Sequence, residues 1–307
     1  VLDLAVFSRG EREPTFRASL TLTAFWTGLA ILFVGLIWFA AGHKAAAQFL
    51  AGYLVEWSLS LDNVFVFLVI FGYFGVPRKR QHRVLFWGIL GAIVMRLVFV
   101  IAGTALFSRF EWLLPLFGVL IVYLGIKLAI HKEPEIDPDK NIVLRLARRF
   151  FRVASGDHGS RFVVRDPAGR IEVTTLFLVL LVVESADVVF AFDSVPAIFG
   201  ITPDPFIVFS SNILAILGLR ALYFMLAGMI DRVRFVNYGI SAILVFVGAK
   251  MIGDYAAKHF GWIRPDAELV PYWASLVVIS GLLAISIAAS FLIRPTKVKT
   301  PKDAAAR

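Results

Sequence analysis

Residues 173–199 form an apolar run long enough to cross a bilayer, yet "VVESADVVFAFDSVPAIF" (182–199) carries Glu184, Asp187 and Asp193, then Pro196. About 20 apolar residues span the hydrocarbon core, where carboxylates are costly. A chain with such a segment must pair its acids, wet them, or give them an ion. Other long apolar runs recur along the 307 residues, and the chain is 59% hydrophobic with 29 phenylalanines. Soluble domains sit nearer 45–50% by a similar count. The mean hydropathy of +0.80 agrees. The sequence reads as an all-α polytopic membrane protein.

Hydropathy places eight complete spans, at roughly 22–42, 47–74, 84–107, 113–130, 173–199, 206–229, 235–253 and 272–293. Between these spans, 23 of the 31 lysines and arginines fall on the side that holds residues 1–21. The opposite side has Lys44, Arg109, Lys258 and Arg264. Positive charge marks the cytoplasmic face, so the C-terminus is expected in the cytoplasm, with a bacterial inner membrane as the location. The opening "VLDLAVF" reads as the tail of an apolar segment, and an additional helix before it is expected. The net charge of +9 implies no nucleic-acid partner, because in a membrane protein the placement of charge carries the information. Cysteine is absent, which excludes disulfides, thiolate metal sites and thiol chemistry.

The connection 131–172 has internal order. "KEPEIDPDK" is acidic and broken by prolines, and "NIVLRLARRFFRV" sets Arg145, Arg148, Arg149 and Arg152 among apolar residues. That pattern is a basic amphipathic helix suited to anionic lipid headgroups. "RFVVRDPAGRIEVT" predicts a small hairpin. Protein partners are not legible.

A repeat organises the spans. "EWSLSLDNVF" (56–65) aligns with "DVVFAFDSVP" (187–196), matching Glu56 with Asp187, Asp62 with Asp193 and Asn63 with Ser194. "GILGAIVMRL" (88–97) aligns with "NILAILGLRA" (212–221), matching Arg96 with Arg220. "YLGIK" (123–127) aligns with "FVGAK" (246–250), matching Lys127 with Lys250. Three spans are an odd number, so the second copy must cross in the opposite sense. Inverted repeats with midplane sites are a transporter signature. The expected organisation is 1–46 with the first complete span, 47–130 as the first three-helix repeat, 131–172 as the connecting loop, 173–253 as the inverted repeat, and 254–307 as the last span and basic tail.

Each charge at the bilayer centre costs about 3 kcal/mol on insertion scales, so Glu56, Asp62, Glu184, Asp187 and Asp193 cannot all stand alone. Arg96 and Arg220 are the expected charge partners. Lys127 and Lys250 lie near span ends, where snorkelling is the default. Glu56 and Asp62 stand about 120° apart on an ideal helix, so either one acid pairs with an arginine or the helix unwinds. Pro196 favours unwinding in the second copy. Carboxylates with an amide and a hydroxyl are hard oxygen ligands, which suit Mn²⁺, Mg²⁺ or Ca²⁺. The bland reading makes them interhelical ion pairs only. No serine, cysteine or histidine nucleophile cluster shares the midplane, so no enzyme is expected.

"EWSLSLDNVFVF", "VESADVVFAFDSVPAIF" and "FIVFSSNILAILGLRALYF" resemble signatures of the TerC/Alx family, over nearly the whole chain from about residue 20. Its members are multi-spanning bacterial and plastid proteins linked to manganese export, tellurite resistance and alkaline response. The resemblance implies that Glu56, Asp62, Glu184, Asp187 and Asp193, with Asn63 and Ser194, handle a transported Mn²⁺ rather than a tightly bound cofactor. It also supports the additional N-terminal helix. Ca²⁺, H⁺ or an organic solute is the alternative cargo, and a scaffold for metal loading of exported proteins is the alternative role.

Overall fold

A computed structural model describes residues 16–130, 142–154, 156, 158–166, 168–227, 235–264 and 269–292; the side chains of Asp62, Phe65, Asp193 and Val236 also lie outside the described set. The elements are α1 (Phe16–Tyr73), α2 (Arg78–Arg109), α3 (Leu113–Ile130), α4 (Ile142–Phe150), β1 (Val163–Arg165), β2 (Ile171–Val173), α5 (Thr175–Phe199), α6 (Pro205–Leu217), α7 (Leu219–Leu226), α8 (Val236–His259) and α9 (Tyr272–Leu292). Among the described residues, seven helical segments are long and apolar enough to cross a membrane, with α6 and α7 counted together and α1 counted once. The protein is an all-α polytopic membrane protein whose described sheet is one short antiparallel hairpin, β1 with β2.

α1 holds the first two expected spans. Gly42 has φ 86° and ψ 175°, a conformation costly for any residue with a Cβ, and the helix turns a corner there. Lys44 and its neighbours are therefore helical, where the sequence predicts a connection. Ile31, Leu32, Leu36 and Phe39 on the first segment are exposed and face lipid, whereas Val55, Val64, Ile70 and Phe71 on the second are buried. At the far end, Gly75 with φ 60° closes the helix, and Val76 N–H returns to the Phe71 carbonyl at 2.9 Å.

Two further departures from the sequence reading concern the second repeat. α5 runs as helix through Pro196 to Phe199, where unwinding was favoured. The proline forgoes one bond, to the Phe192 carbonyl, and the turn beyond it is kept because its own carbonyl accepts from Gly200 N–H at 3.0 Å. The span expected at 206–229 is instead interrupted at Gly218, between α6 and α7. Gly218 N–H turns back three residues to Ala215, tightening the chain just before Arg220. Asp204 starts α6 by accepting from Phe206 N–H at 2.9 Å, with Pro205 in the first turn.

The packing repeats itself. α3 lies along α8, the second segment of α1 packs on α6, and α2 packs on α5. Exchanging the two repeats turns the α1–α6 pair into the α5–α2 pair and leaves α3–α8 unchanged. Close approaches obey the same exchange. A Cβ on Gly118 would meet the Gly248 carbonyl at 2.9 Å, and one on Gly125 would meet the Ser241 carbonyl at 2.9 Å. Extending the alignment pairs Gly118 with Ser241 and Gly125 with Gly248, so the two contacts are one contact seen twice. Numbers rise along α3 as they fall along α8, so the pair is antiparallel. A two-fold axis perpendicular to both helices produces that arrangement, and such an axis lies in the membrane plane. Likewise Gly52 closes on Ser211, while its counterpart Val183 closes on Gly88, next to Trp87, the counterpart of Ser211. The repeats are inverted.

Candidate intramembrane cation site

The acids lie on α1 and α5, which also pack on each other. Gly52 meets the Ile198 side chain at 3.3 Å, and further along α1 the Phe67 ring meets Phe190 with centroids 6.4 Å apart, so numbers rise along α1 as they fall along α5 and the helices run antiparallel. Glu56, Ser60 and Asn63 lie between these two contacts on α1, and Ser194 lies between them on α5, with Asp187 about one turn further along.

The first repeat carries an ion pair. Arg96 of α2 places Nη1 2.5 Å from Glu56 Oε2, with both side chains buried. The same Nη1 donates to Asn212 Oδ1, and Asn212 in turn donates to the Val208 carbonyl at 2.7 Å. Asn212 was missed by sequence reasoning. Its signal was a lone amide in an apolar span, at the repeat position where the first copy has Gly88. Asp187 is buried and lies within electrostatic reach of Glu184, Arg96 and Glu56. The fold thus brings charges of both repeats into one field.

Several oxygens here are poorly used. Glu56 is fully buried, and its Oε1 accepts no hydrogen bond. Ser60 Oγ and Ser194 Oγ are buried without a hydrogen-bond partner. Unpaired buried oxygens are costly unless something occupies them, and a hard cation fits such a donor set. Among the described residues, no three His, Asp or Glu side chains converge closely enough to hold a metal by themselves. Glu184 sets its carboxylate against Gly91 of α2. Asn63 is buried beside this region. The side chains of Asp62 and Asp193, expected as central ligands, lie outside the described residues.

Lys250 differs from expectation. It does not snorkel: it is buried, donates to the Gly200 carbonyl at 3.4 Å and pairs with Asp254 at 3.6 Å. Met251 and Val247, on the same helix, pack against Gly200. Lys127 is exposed near the end of α3, and Arg220 is buried at the start of α7.

Buried polar clamps bracket the acids. At one end, Thr202 Oγ1 donates to Gln48 Oε1 at 3.2 Å, tying the loop after α5 to the second segment of α1. At the other, Tyr223 Oη donates to Gln81 Oε1 at 2.8 Å, and Gln81 Nε2 donates to the Val76 carbonyl at 2.9 Å. Each clamp joins the first repeat to the second.

A family model described as "Integral membrane protein TerC family" matches residues 41–298. The chain is 44% identical over 291 residues to "Uncharacterized membrane protein STKORF319" of Myxococcus xanthus, covering 95% of this chain and 88% of that one. It is 40% identical over 296 residues to "Putative membrane-bound redox modulator Alx" of Photorhabdus laumondii, covering 94% and 89%. A protein of the same description from Escherichia coli K12 is 40% identical over 286 residues, covering 91% and 85%. No solved structure matches this chain.

Proposed function

The chain belongs to the TerC family of integral membrane proteins, and from that premise we propose that it exports divalent metal cations, Mn²⁺ above all, from the cytoplasm by alternating access. It is read as a transporter of the bacterial inner membrane, not an enzyme. The observation that carries this is the Glu56 carboxylate: fully buried, half satisfied by Arg96, with an unpartnered Ser194 hydroxyl buried on the facing helix α5. A buried ion pair alone needs no spare acids, yet Asp187 is buried in the same field and Glu184 is close by. Extra negative charge in a dry site favours an incoming divalent cation. Asp62, Asn63 and Asp193 complete the proposed ligand set by their positions on α1 and α5. Inverted repeats supply the rest, because tilting one against the other exposes a fixed site to either side.

Relatives described as redox modulators fit the same reading. A chain with no cysteine exchanges no thiols of its own, but moving a redox-active metal ion changes what other proteins receive. The test is Mn²⁺ binding to the detergent-purified protein, followed by loss of the free-ion electron paramagnetic resonance signal. Wild type is expected to deplete free Mn²⁺, and Asp187→Asn to deplete it several-fold less. Equal depletion by the two proteins, or none by wild type, contradicts the reading.

A further inference from the structure

α4 presents three distinct faces, and they do not share one neighbour. Leu144 and Ala147 are buried against the core at the start of α5, and the Phe151 ring packs on Phe177 with centroids 5.9 Å apart. The chain beyond α4 is pinned as well, since Val173 N–H donates to the Arg152 carbonyl at 2.9 Å. At about 100° per residue, Ile142, Leu146, Phe150 and Val143 fall in a second stripe, adjacent to the buried one. That stripe faces outward, with Ile142 69% and Phe150 76% exposed. Arg145, Arg148 and Arg149 form the third stripe and are exposed too.

A helix clamped to the first turn of a membrane-spanning helix sits at the boundary between water and lipid. There an outward apolar stripe beside an arginine stripe has a natural counterpart: acyl chains for one and anionic headgroups for the other. We propose that α4 is an interfacial helix that docks on the anionic lipid surface through Ile142, Val143, Leu146 and Phe150, with Arg145, Arg148 and Arg149 on lipid phosphates. The buried face of Leu144 and Ala147 fixes it to α5, the helix that carries Glu184, Asp187 and Asp193. Lipid charge thereby acts on the same rigid element that bears the acids. This inference stands on the geometry of α4 and holds whatever the protein transports.

The cysteine-free chain makes the test direct. Leu146→Cys, and separately Ala168→Cys at the exposed hairpin tip, are labelled with a fluorophore and reconstituted as full-length protein. The vesicles are phosphatidylcholine with or without phosphatidylglycerol, and contain a nitroxide lipid as quencher. Quenching at position 146 is expected to exceed that at 168 several-fold and to grow with phosphatidylglycerol. Changing Arg145, Arg148 and Arg149 together to Gln is expected to raise the phosphatidylglycerol fraction needed, with lipid affinity falling about fivefold per arginine. Quenching at 146 no greater than at 168 overturns the proposal and assigns the stripe to another occupant, such as the acidic 131–141 segment or a second protein. Quenching that ignores phosphatidylglycerol and the three arginines overturns it as well, because the contact is then purely apolar.

Discussion

Arg96 reaches from α2 to Glu56 on α1, with 2.5 Å between Nη1 and Oε2 and neither side chain open to solvent. Breaking such a pair from one side leaves a lone charge in low dielectric, at a cost of about 3–5 kcal/mol. Arg96→Ala is therefore expected to lower the melting temperature in detergent and the membrane yield. Arg96→Met with Glu56→Gln removes both charges together and is expected to recover most of that loss. If Arg96→Ala melts like wild type, the pair does not hold the repeat together.

The crossing of α3 and α8 gives a second prediction. A Cβ at Gly248 would lie 2.6 Å from the Gly118 carbonyl oxygen, a backbone atom that cannot swing aside. Gly248→Ala should force the helices apart and destabilise the protein. Gly28 and Gly35 are also helical but meet nothing within 4 Å. Their replacement by alanine should be neutral or stabilising by up to roughly 1 kcal/mol, from helix propensity alone. Thermal unfolding of the three variants side by side decides this, and equal behaviour would remove the axis assigned to this crossing.

The clamps predict opposite phenotypes. Thr202→Ala cuts the Gln48 contact at one end of the acids, and Tyr223→Phe cuts the Gln81 contact at the other. In an alternating-access protein, each change should favour opening on its own side. A cysteine introduced at buried, unpartnered Ser60 reports this through its labelling by a membrane-impermeant thiol reagent added to one side at a time. Thr202→Ala should speed labelling from one side and Tyr223→Phe from the other. Identical side preference in both variants contradicts the gating role.

Much of this was legible because hydropathy and charge order are properties of single helices. The span count, the inverted repeat and the role of Arg96 as a charge partner all follow from such local patterns. What failed depends on how helices meet. Lys250 reads as a snorkelling residue from its place near a span end, and only the neighbouring Gly200 loop and Asp254 make it a buried one. Asn212 hides for the same reason, since its importance comes from Arg96 on another helix. Pro196 misleads in the other direction, because the loss of one bond leaves the turn beyond it intact.

Asp62 and Asp193 occupy matching places in the two copies, each followed by a small polar residue. Flux of Mn²⁺, with Ca²⁺ and Mg²⁺ in parallel, into proteoliposomes carrying wild type, Asp62→Asn or Asp193→Asn tests the transport claim most directly. Wild type is expected to give Mn²⁺ flux well above empty liposomes. Each variant is expected to lose that flux, with membrane yield and melting temperature close to wild type. Wild-type protein that moves no Mn²⁺, or variants that move it as fast as wild type, would contradict Mn²⁺ export through these acids.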